Sequence, residues 1–152
     1  MRTMMMVVGV AATLVACGKG GEKQAAEKPM EQAPAAAPAA TGATHDVEMH
    51  FDGKVGYFTP AELTIKSGDV VNFVVKSGPP HNVSFWSDSI PASAADVLNR
   101  NMPETMAPLT GPLKVGIDET YKISFAGAPA GEYKFYCTPH LTFGMKGKIT
   151  VE

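Results

Sequence analysis

The chain from residue 45 onward is predicted to be an all-β domain, on three kinds of observation. Apolar and polar residues alternate with a period of two in successive short segments. Turn signals such as Ser67-Gly68 and Gly78-Pro79-Pro80 separate these segments at the spacing of a β-sandwich. The whole chain of 152 residues is 45% hydrophobic and 18% charged, which fits one soluble domain with extensions.

Residues 1–17 have the layout of a secretory signal. A single arginine precedes an apolar run over residues 4–16, which is too short to cross a membrane. The run ends in Leu14-Val15-Ala16-Cys17, which resembles a bacterial lipobox, where the cysteine is acylated and becomes the new N-terminus. We therefore expect Cys17 to anchor the chain on the periplasmic side of a bacterial membrane, with the outer membrane favoured by the glycine that follows. A plain signal peptide cut elsewhere is the alternative.

Residues 18–44 are predicted to form a disordered tether. They consist largely of Gly, Lys, Glu, Ala and Pro, and Met30 is their one large apolar residue. Such a segment cannot bury enough apolar surface to offset the entropy cost of ordering. Its prolines also argue against an alanine-rich helix. The folded domain is therefore expected to span residues 45–152.

Within the domain, strands are predicted almost throughout, and a short helix or loop insertion interrupts them. The helix is expected between Ala92 and Asn101, with at most two turns. Three prolines make the following stretch, up to Leu113, an irregular loop. The strand segments are Val47 to Phe51, Leu63 to Ile65, Asp69 to Lys76, Tyr121 to Phe125, Tyr133 to Cys137, and the stretch that ends at Val151.

The loop from Tyr136 to Met145 carries a thiol, an imidazole and a thioether on Cys137, His140 and Met145. Thiolate and thioether are soft ligands that suit copper, and two His with one Cys and a distant axial Met form the blue-copper electron-transfer site. A second imidazole is needed from elsewhere. The sequence contains four histidines, and the candidate is His81.

Strand phase supports this ligand set without reference to any family. Side chains alternate across a strand, so every second residue shares a face. On this count Cys137 lies with Phe135, His81 with Val83, and Met145 with Ile149, all on apolar faces. His140 lies in the loop and is expected to close the site from the solvent side.

The domain resembles a cupredoxin of the plastocyanin and pseudoazurin type. The spacing of Cys, two residues, His, four residues and Met is that of these subfamilies. The matching segments occur in the order of the family and cover the domain. They are Phe58-Thr59-Pro60, Leu63 to Val71, Pro80-His81-Asn82-Val83, Gly131 to His140 and Gly144 to Val151.

The resemblance implies a Greek-key sandwich of roughly eight strands in two sheets, with one type 1 copper at one end. His81, Cys137 and His140 would be the trigonal ligands and Met145 the axial ligand. The side chain of Asn82 would tie the His81 segment to the ligand loop near Thr138. The exposed edge of His140 would be the electron port, with a docking collar formed by Leu141, Phe143, Pro79 and Pro80.

The expected function is that of an electron shuttle rather than an enzyme. Its partners would be redox proteins such as a c-type cytochrome, an oxidase, a reductase or a photosynthetic complex. Plant plastocyanins carry runs of acidic residues near the position of Ile90-Pro91, and here only Asp88 remains. The photosynthetic partner of plastocyanin is therefore not inherited from the resemblance alone. A copper carrier, with Met102 and Met106 as accessory ligands, is the alternative function. Nucleic acid is not an expected partner because lysines and arginines are scattered singly.

Other interpretations of the cysteine and histidines remain open at this point. Cys137 could be a buried apolar residue or could pair with Cys17 in a disulfide. A zinc site is disfavoured because the domain has no second cysteine. His45 and His50, at the start of the domain, are expected to be exposed.

Overall fold

The computed structural model describes residues 42–152, which form two four-stranded sheets and one short helix. This architecture confirms the predicted all-β sandwich. The predicted signal with Cys17, and nearly all of the predicted tether, lie outside the described residues. Among residues 42–152, no helix combines the length and hydrophobicity needed to cross a membrane.

The elements follow the predicted order, and two short strands, β2 and β5, add to the six predicted strand segments. The strands are β1 (Thr44–Phe51), β2 (Gly56–Thr59), β3 (Glu62–Ile65), β4 (Val70–Val75), β5 (Ser84–Phe85), β6 (Thr120–Ser124), β7 (Gly131–Tyr136) and β8 (Lys146–Val151); the helix α1 (Ala94–Asn101) follows β5, and a 3₁₀ turn (Leu141–Phe143) follows β7. One sheet has the order β2-β1-β4-β6 and the other β3-β8-β7-β5. The pairs β1 with β4 and β3 with β8 are parallel, and all other pairs are antiparallel.

The core lies between the two sheets, where the alternating apolar side chains meet. Three phenylalanines from different strands form its centre, with ring centroids 4.7 to 6.1 Å apart and edge-on geometry. They are Phe58, Phe73 and Phe135. Burying each such side chain stabilises the fold by about 1.5–3 kcal/mol, and edge-to-face contacts add a smaller specific term. This packing holds β2, β4 and β7 in fixed relative positions.

The segment from α1 to β6 covers one side of β5. The helix has eight residues and buries Leu98 fully. Beyond it, the backbone N–H of Phe85 donates to the carbonyl of Leu109 at 2.9 Å, and Ser84 bridges to Thr110. This covering segment buries Ser84 and its neighbour Asn82, although they lie on the opposite side of the chain from the apolar residues. Asn82 and Ser84 therefore do not face solvent, although they are polar.

Candidate metal centre

Cys137 and Met145 stand at the two ends of the loop that connects β7 to β8. Both are fully buried, in agreement with their strand phase. The backbone N–H of Cys137 donates to the carbonyl of Met145 at 3.1 Å, and that of Met145 donates to the carbonyl of His140 at 3.2 Å. Gly144 precedes Met145 with a φ of 86°, a left-handed conformation that favours glycine. The loop is thus closed by its own backbone before any ligand is bound.

His81 lies in the segment that leads from β4, in the first sheet, to β5, in the second. Its backbone forms an isolated antiparallel bridge with Lys114, with hydrogen bonds of 2.9 and 2.7 Å. In its fully buried ring, Nε2 lies 2.8 Å from the carbonyl of Ser77. A carbonyl can only accept, so Nε2 carries the proton and Nδ1 of the neutral ring has a free lone pair.

Three donor atoms converge at this end of the sandwich. Sγ of Cys137 lies 3.6 Å from Nδ1 of His81 and 3.6 Å from Nδ1 of His140, and the two nitrogens are 3.3 Å apart. The centre of that triangle is about 2.0 Å from each atom, close to the lengths that metal bonds to imidazole nitrogen and thiolate sulfur show. Among residues 42–152, these three form the one group of three or more His, Cys, Asp and Glu donors close enough to share a metal ion.

Burial keeps this group uncharged in the absence of a cation. Desolvation lowers the pKa of both rings; for His81 the hydrogen bond to the Ser77 carbonyl opposes that shift, and for His140 the nearby His81 adds to it. Burial also raises the pKa of the Cys137 thiol, although backbone N–H groups of Asn82 and His140 oppose that shift. A metal ion would therefore meet the free Nδ1 lone pair of His81, would require Nδ1 of His140 to be unprotonated, and would displace the thiol proton of Cys137. This donor set fits a soft or borderline metal such as copper.

Gly56, at the start of β2, forms part of the wall beside Met145 and His140. A Cβ placed on Gly56 would lie 2.8 Å from Cβ of Met145, 3.3 Å from its Sδ and 3.0 Å from Cβ of His140. Only a residue without a side chain allows this approach. Nothing in the sequence marked Gly56 for this role, because a glycine that follows the hairpin turn after β1 looks like any other turn residue.

His140 is more enclosed than its position in a loop suggested, with 5% of its surface exposed. The ring of Phe51, the last residue of β1, stacks on it with centroids 4.1 Å apart and planes at 21°. Phe143 also borders the imidazole, at 6.3 Å. The expectation of an exposed His140 edge is therefore corrected to a narrow opening. The contact with Phe51 was not foreseen, since 89 positions of sequence separate the two residues.

Asn82 connects the His81 segment to the ligand loop. Its Oδ1 accepts the backbone N–H of Thr138 at 2.7 Å, and its Nδ2 donates to Oγ1 of Thr138 at 3.2 Å. Oγ of Ser84 lies 3.1 Å from the same threonine hydroxyl. These polar groups satisfy one another, so Thr138, the residue after Cys137, is held to a segment 56 positions earlier in the sequence.

An apolar collar surrounds the opening above His140. Leu141 and Phe143 are 38% and 42% exposed, Pro80 is exposed and Pro79 is half-buried. The antiparallel bridge of His81 to Lys114 places Val115 beside Pro80, and Val115 is 67% exposed. The collar is therefore wider than the residues selected from the sequence.

The remaining candidate residues do not join this cluster. His45 and His50 are half-buried rather than exposed, because each pairs with a carboxylate: His45 with Asp69 at 2.8 Å and His50 with Glu48 at 3.0 Å. Met102 and Met106, the proposed accessory copper ligands, differ strongly in exposure. Met102 is buried at the end of α1, whereas Met106 is 62% exposed.

Comparison with known proteins places the domain among copper proteins. A family model described as copper binding proteins of the plastocyanin/azurin family matches residues 40–152. Plastocyanin of Nostoc punctiforme is 37% identical over 115 residues, which are 76% of this chain and 78% of that protein. Chloroplastic plastocyanin of Chlamydomonas reinhardtii is 41% identical over 107 residues, or 70% of this chain and 66% of that protein.

Solved structures agree with the sequence relatives. Oxidised plastocyanin from Dryopteris crassirhizoma superimposes with a TM-score of 0.54 at 28% identity, covering 71% of this chain and all of that chain. A reduced mutant of amicyanin superimposes with a TM-score of 0.50 at 33% identity, covering 78% of this chain and 90% of that chain.

Proposed function

The chain belongs to the plastocyanin/azurin family of copper-binding proteins, and we propose that it carries single electrons between redox proteins. In this proposal His81, Cys137 and His140 bind one type 1 copper, with Met145 as its axial ligand. The chain would then act as an electron carrier and not as an enzyme. The observation that carries the proposal is the buried triangle of donor atoms, whose centre lies about 2.0 Å from each of them.

Copper bound at this centre would supply a one-electron couple, Cu(II)/Cu(I). The contribution of the protein is to hold the donors still, because ligands that move at every electron transfer raise the reorganisation barrier. Ser77 orients the ring of His81, Phe51 stacks on His140, and Asn82 fixes the backbone beside Cys137. These supports come from β1 and from the segment between β4 and β5, so the donor positions do not depend on the ligand loop alone.

The apolar collar supports brief docking of a redox partner over His140. It exposes Leu141, Phe143 and Val115 next to the narrow opening above the imidazole. A small apolar surface of this kind suits short-lived complexes. The partner classes are a c-type cytochrome, an oxidase, a reductase or a photosynthetic complex.

Adding Cu(II) to the metal-free protein tests the proposal. An electron carrier of this type is expected to show an intense visible thiolate-to-copper band, a narrow copper hyperfine splitting in electron paramagnetic resonance, and retention of the metal during dialysis against a chelator. Weak colour with ready transfer of Cu(I) to an acceptor protein would instead support the alternative of a copper carrier. The burial of three donors and of Met102 favours the electron carrier, because a carrier gains from exposed ligands.

Met145→Leu provides a second test of the same site. The thioether is proposed to be a weak axial ligand, so its loss should retain the visible band and raise the reduction potential. Cyclic voltammetry of the variant beside the parent protein measures the shift. A variant that no longer binds copper would contradict the axial role and would indicate that Met145 is a principal ligand.

We also propose that the domain works on the periplasmic side of a bacterial membrane, attached through an acyl group on Cys17. The support is the lipobox-like Leu14-Val15-Ala16-Cys17 and the polar tether after it. Cys17→Ala is expected to move the protein from the membrane fraction to the soluble fraction. Labelling with radioactive palmitate measures the modification directly, and an unlabelled parent protein would contradict the anchor.

A further inference from the structure

Ser84 is a fully buried serine in β5 that is not among the four proposed copper ligands. Its side chain lies on the side of β5 opposite Phe85, which is part of the core. On that side the segment around Thr110 covers Ser84, and a bridge joins the two residues. A hydroxyl group removed from water is unfavourable unless a hydrogen bond replaces the lost hydration. The hydrogen bonds of Ser84 therefore indicate what the residue does.

The hydroxyl group of Thr138 is the main polar neighbour of Ser84. Oγ of Ser84 lies 3.1 Å from Oγ1 of Thr138, whereas Nδ2 of Asn82 lies at a longer 3.4 Å. Within residues 42–152, Oγ1 of Thr138 is the one acceptor that is hydrogen-bonded to the Ser84 hydroxyl. Thr138 is exposed and can donate its own hydroxyl proton to water, whereas Ser84 is fully buried. The proton between the two oxygens is therefore assigned to Ser84, which donates to Thr138.

Thr138 is thus held by three hydrogen bonds to residues 82 and 84. Its backbone N–H donates to Oδ1 of Asn82 at 2.7 Å, and its Oγ1 accepts from Nδ2 of Asn82 at 3.2 Å and from Ser84 at 3.1 Å. The first bond fixes the backbone, and the other two select one side-chain rotamer. Ser84 also pairs with Tyr136 within the sheet, so its hydroxyl links the start of the ligand loop to a strand.

The position of Thr138 affects the sulfur atom because Thr138 follows Cys137 directly. The N–H of Cys137 is bonded to the carbonyl of Met145 at 3.1 Å, so the backbone of Cys137 is held on both sides. A rotation there would turn Sγ relative to the two imidazole nitrogens, each 3.6 Å away. Groups around the cysteine sulfur tune a type 1 copper site. Loss of the Ser84 hydroxyl should therefore move the sulfur without removing a donor.

We propose that Ser84 is a positioning residue of the metal centre, which holds the Cys137 sulfur in place through the hydroxyl group of Thr138. The inference rests on the proposed copper site, and it adds a residue whose hydrogen bonds go to Asn82 and Thr138 rather than to a donor atom. The effect of Ser84 should consequently be a shift in the properties of bound copper, and not a loss of binding.

Ser84→Ala in the copper-loaded full chain tests the proposal, together with Thr138→Val and the double variant. Ser84→Ala is expected to shift the visible thiolate-to-copper band and the reduction potential while copper is retained. Valine at position 138 lacks the accepting hydroxyl, so adding Ser84→Ala to Thr138→Val should produce no further shift.

Ser124→Ala is the matched control. It removes a strand hydroxyl that accepts the N–H of Ala126 at 3.2 Å. Ser124 pairs with Val70 at the start of β4, away from the ligand loop. The control should leave the band and the potential unchanged.

Hydrogen exchange of the Thr138 amide in the metal-free chain gives a readout that does not depend on copper. Ser84→Ala should accelerate this exchange by about threefold to tenfold, because one of the three hydrogen bonds that hold Thr138 is lost. Ser124→Ala should leave it unchanged.

Three results would overturn the proposal: an unchanged band and potential in Ser84→Ala, an equal shift in Ser124→Ala, or a Ser84→Ala shift that persists beside Thr138→Val. If Ser84→Ala does not fold, Ser84→Cys, a weak donor of similar size, replaces it with the same expected shift. A parent chain without a blue band rejects the electron-carrier function, whereas faster exchange in Ser84→Ala would still support the link to Thr138. A blue parent chain whose spectrum and exchange do not respond to Ser84→Ala rejects only the role of Ser84.

Discussion

Each end of the sandwich has a buried or half-buried histidine next to another polar side chain, but the two ends differ in what that neighbour offers the imidazole. At the end where β1 and β4 begin, Nε2 of His45 lies 2.8 Å from Oδ2 of Asp69. The same carboxylate accepts the backbone N–H groups of Ala43 at 2.8 Å and Lys66 at 3.0 Å. Every close contact there joins a donor to an acceptor, so the cluster is complete without a further ligand.

At the opposite end the close contacts bring three potential metal ligands together. Nδ1 of His81, Nδ1 of His140 and Sγ of Cys137 approach one another within 3.6 Å, and burial disfavours protonation of either ring. Two neutral imidazoles and a thiol that converge in this way can all bind a cation once the thiol proton is released. The difference shows that a histidine's role depends on whether its neighbours supply protons or lone pairs, and the following predictions test that distinction.

The largest effect is expected from Cys137→Ser. It removes the thiolate from the convergent end, so the intense visible band should disappear and retention of Cu(II) should weaken by more than about 100-fold. Absorption spectroscopy during titration with Cu(II) measures both quantities. Cys17→Ser, which removes the other cysteine of the sequence, is the control and should keep the band. A blue Cys137→Ser variant would contradict the proposed site.

Gly56→Ala should disturb the metal end without touching any donor atom. The added methyl group would lie 2.8 Å from Cβ of Met145 and 3.0 Å from Cβ of His140, so these side chains must shift. We expect a loss of about 1–3 kcal/mol in the free energy of unfolding and a changed copper spectrum, measured by denaturation and electron paramagnetic resonance.

Gly53→Ala is the matched control for that variant. Gly53 has a φ of 92° with open space around it, so alanine there should cost about 1–2 kcal/mol through backbone strain and leave the spectrum unchanged. Equal spectra for all three proteins would show that Gly56 does not shape the site.

Asn82→Ala should loosen the ligand loop by a smaller amount. It leaves the N–H of Thr138 without its 2.7 Å acceptor in a partly buried position, which is expected to cost about 0.5–1.5 kcal/mol in unfolding free energy. Asn72→Ala removes an exposed hydrogen bond to Asp46 and should cost less than about 0.5 kcal/mol. Hydrogen exchange of the Thr138 amide measures the local effect, and unchanged protection in Asn82→Ala would count against the link.

Acid should affect the two ends in separate steps, which is the smallest expected effect. Burial lowers the pKa of His81 and His140 below the ordinary 6.5, so the unfolded metal-free chain takes up these protons first and stability declines as the pH falls below that value. The N–H of Lys66 and the ring of His45 lower the pKa of Asp69 below 3.8, so its contribution is lost only in stronger acid. Urea unfolding at a series of pH values measures both steps.

Adding copper and substituting Asp69→Asn separate the loss of stability due to the histidines from the loss due to Asp69. Bound metal competes with protons for the imidazoles, so copper should move the first step to lower pH and leave the second in place. Asp69→Asn should reduce stability at neutral pH and remove the second step. A copper-independent first step would mean that the titrating histidines are not those of the metal end.

Much of the site was predictable because it depends on local pattern. Alternation along β7 and β8 assigned Cys137 and Met145 to the apolar side, and both are fully buried. The residue types then pointed to copper, because a thiolate, an imidazole and a thioether within nine positions form a soft donor set. Matches to Asn82 and Thr138 came from the resemblance to cupredoxins, since nothing in the alternation distinguishes a buried asparagine from an exposed one.

Alternation failed where distant segments cover one another. It placed Asn82 and Ser84 opposite the apolar face, but the residues around Leu109 and Thr110 bury them. It predicted an exposed His140 in a loop, whereas Phe51 stacks on the ring and only 5% of the surface of His140 is exposed. Neither contact has a periodic signal, because each joins segments separated by more than 20 positions.

Residue identity and the period of two were therefore sufficient for the all-β class, for the direction of each strand's side chains and for the chemistry of the ligand loop, because these depend on covalent geometry within a few residues. The meeting of His81 with Cys137, the closeness of Gly56 to Met145 and the difference between the two ends came from tertiary packing. They depend on which strands lie side by side, and that order is set by the burial of the whole core rather than by any local segment.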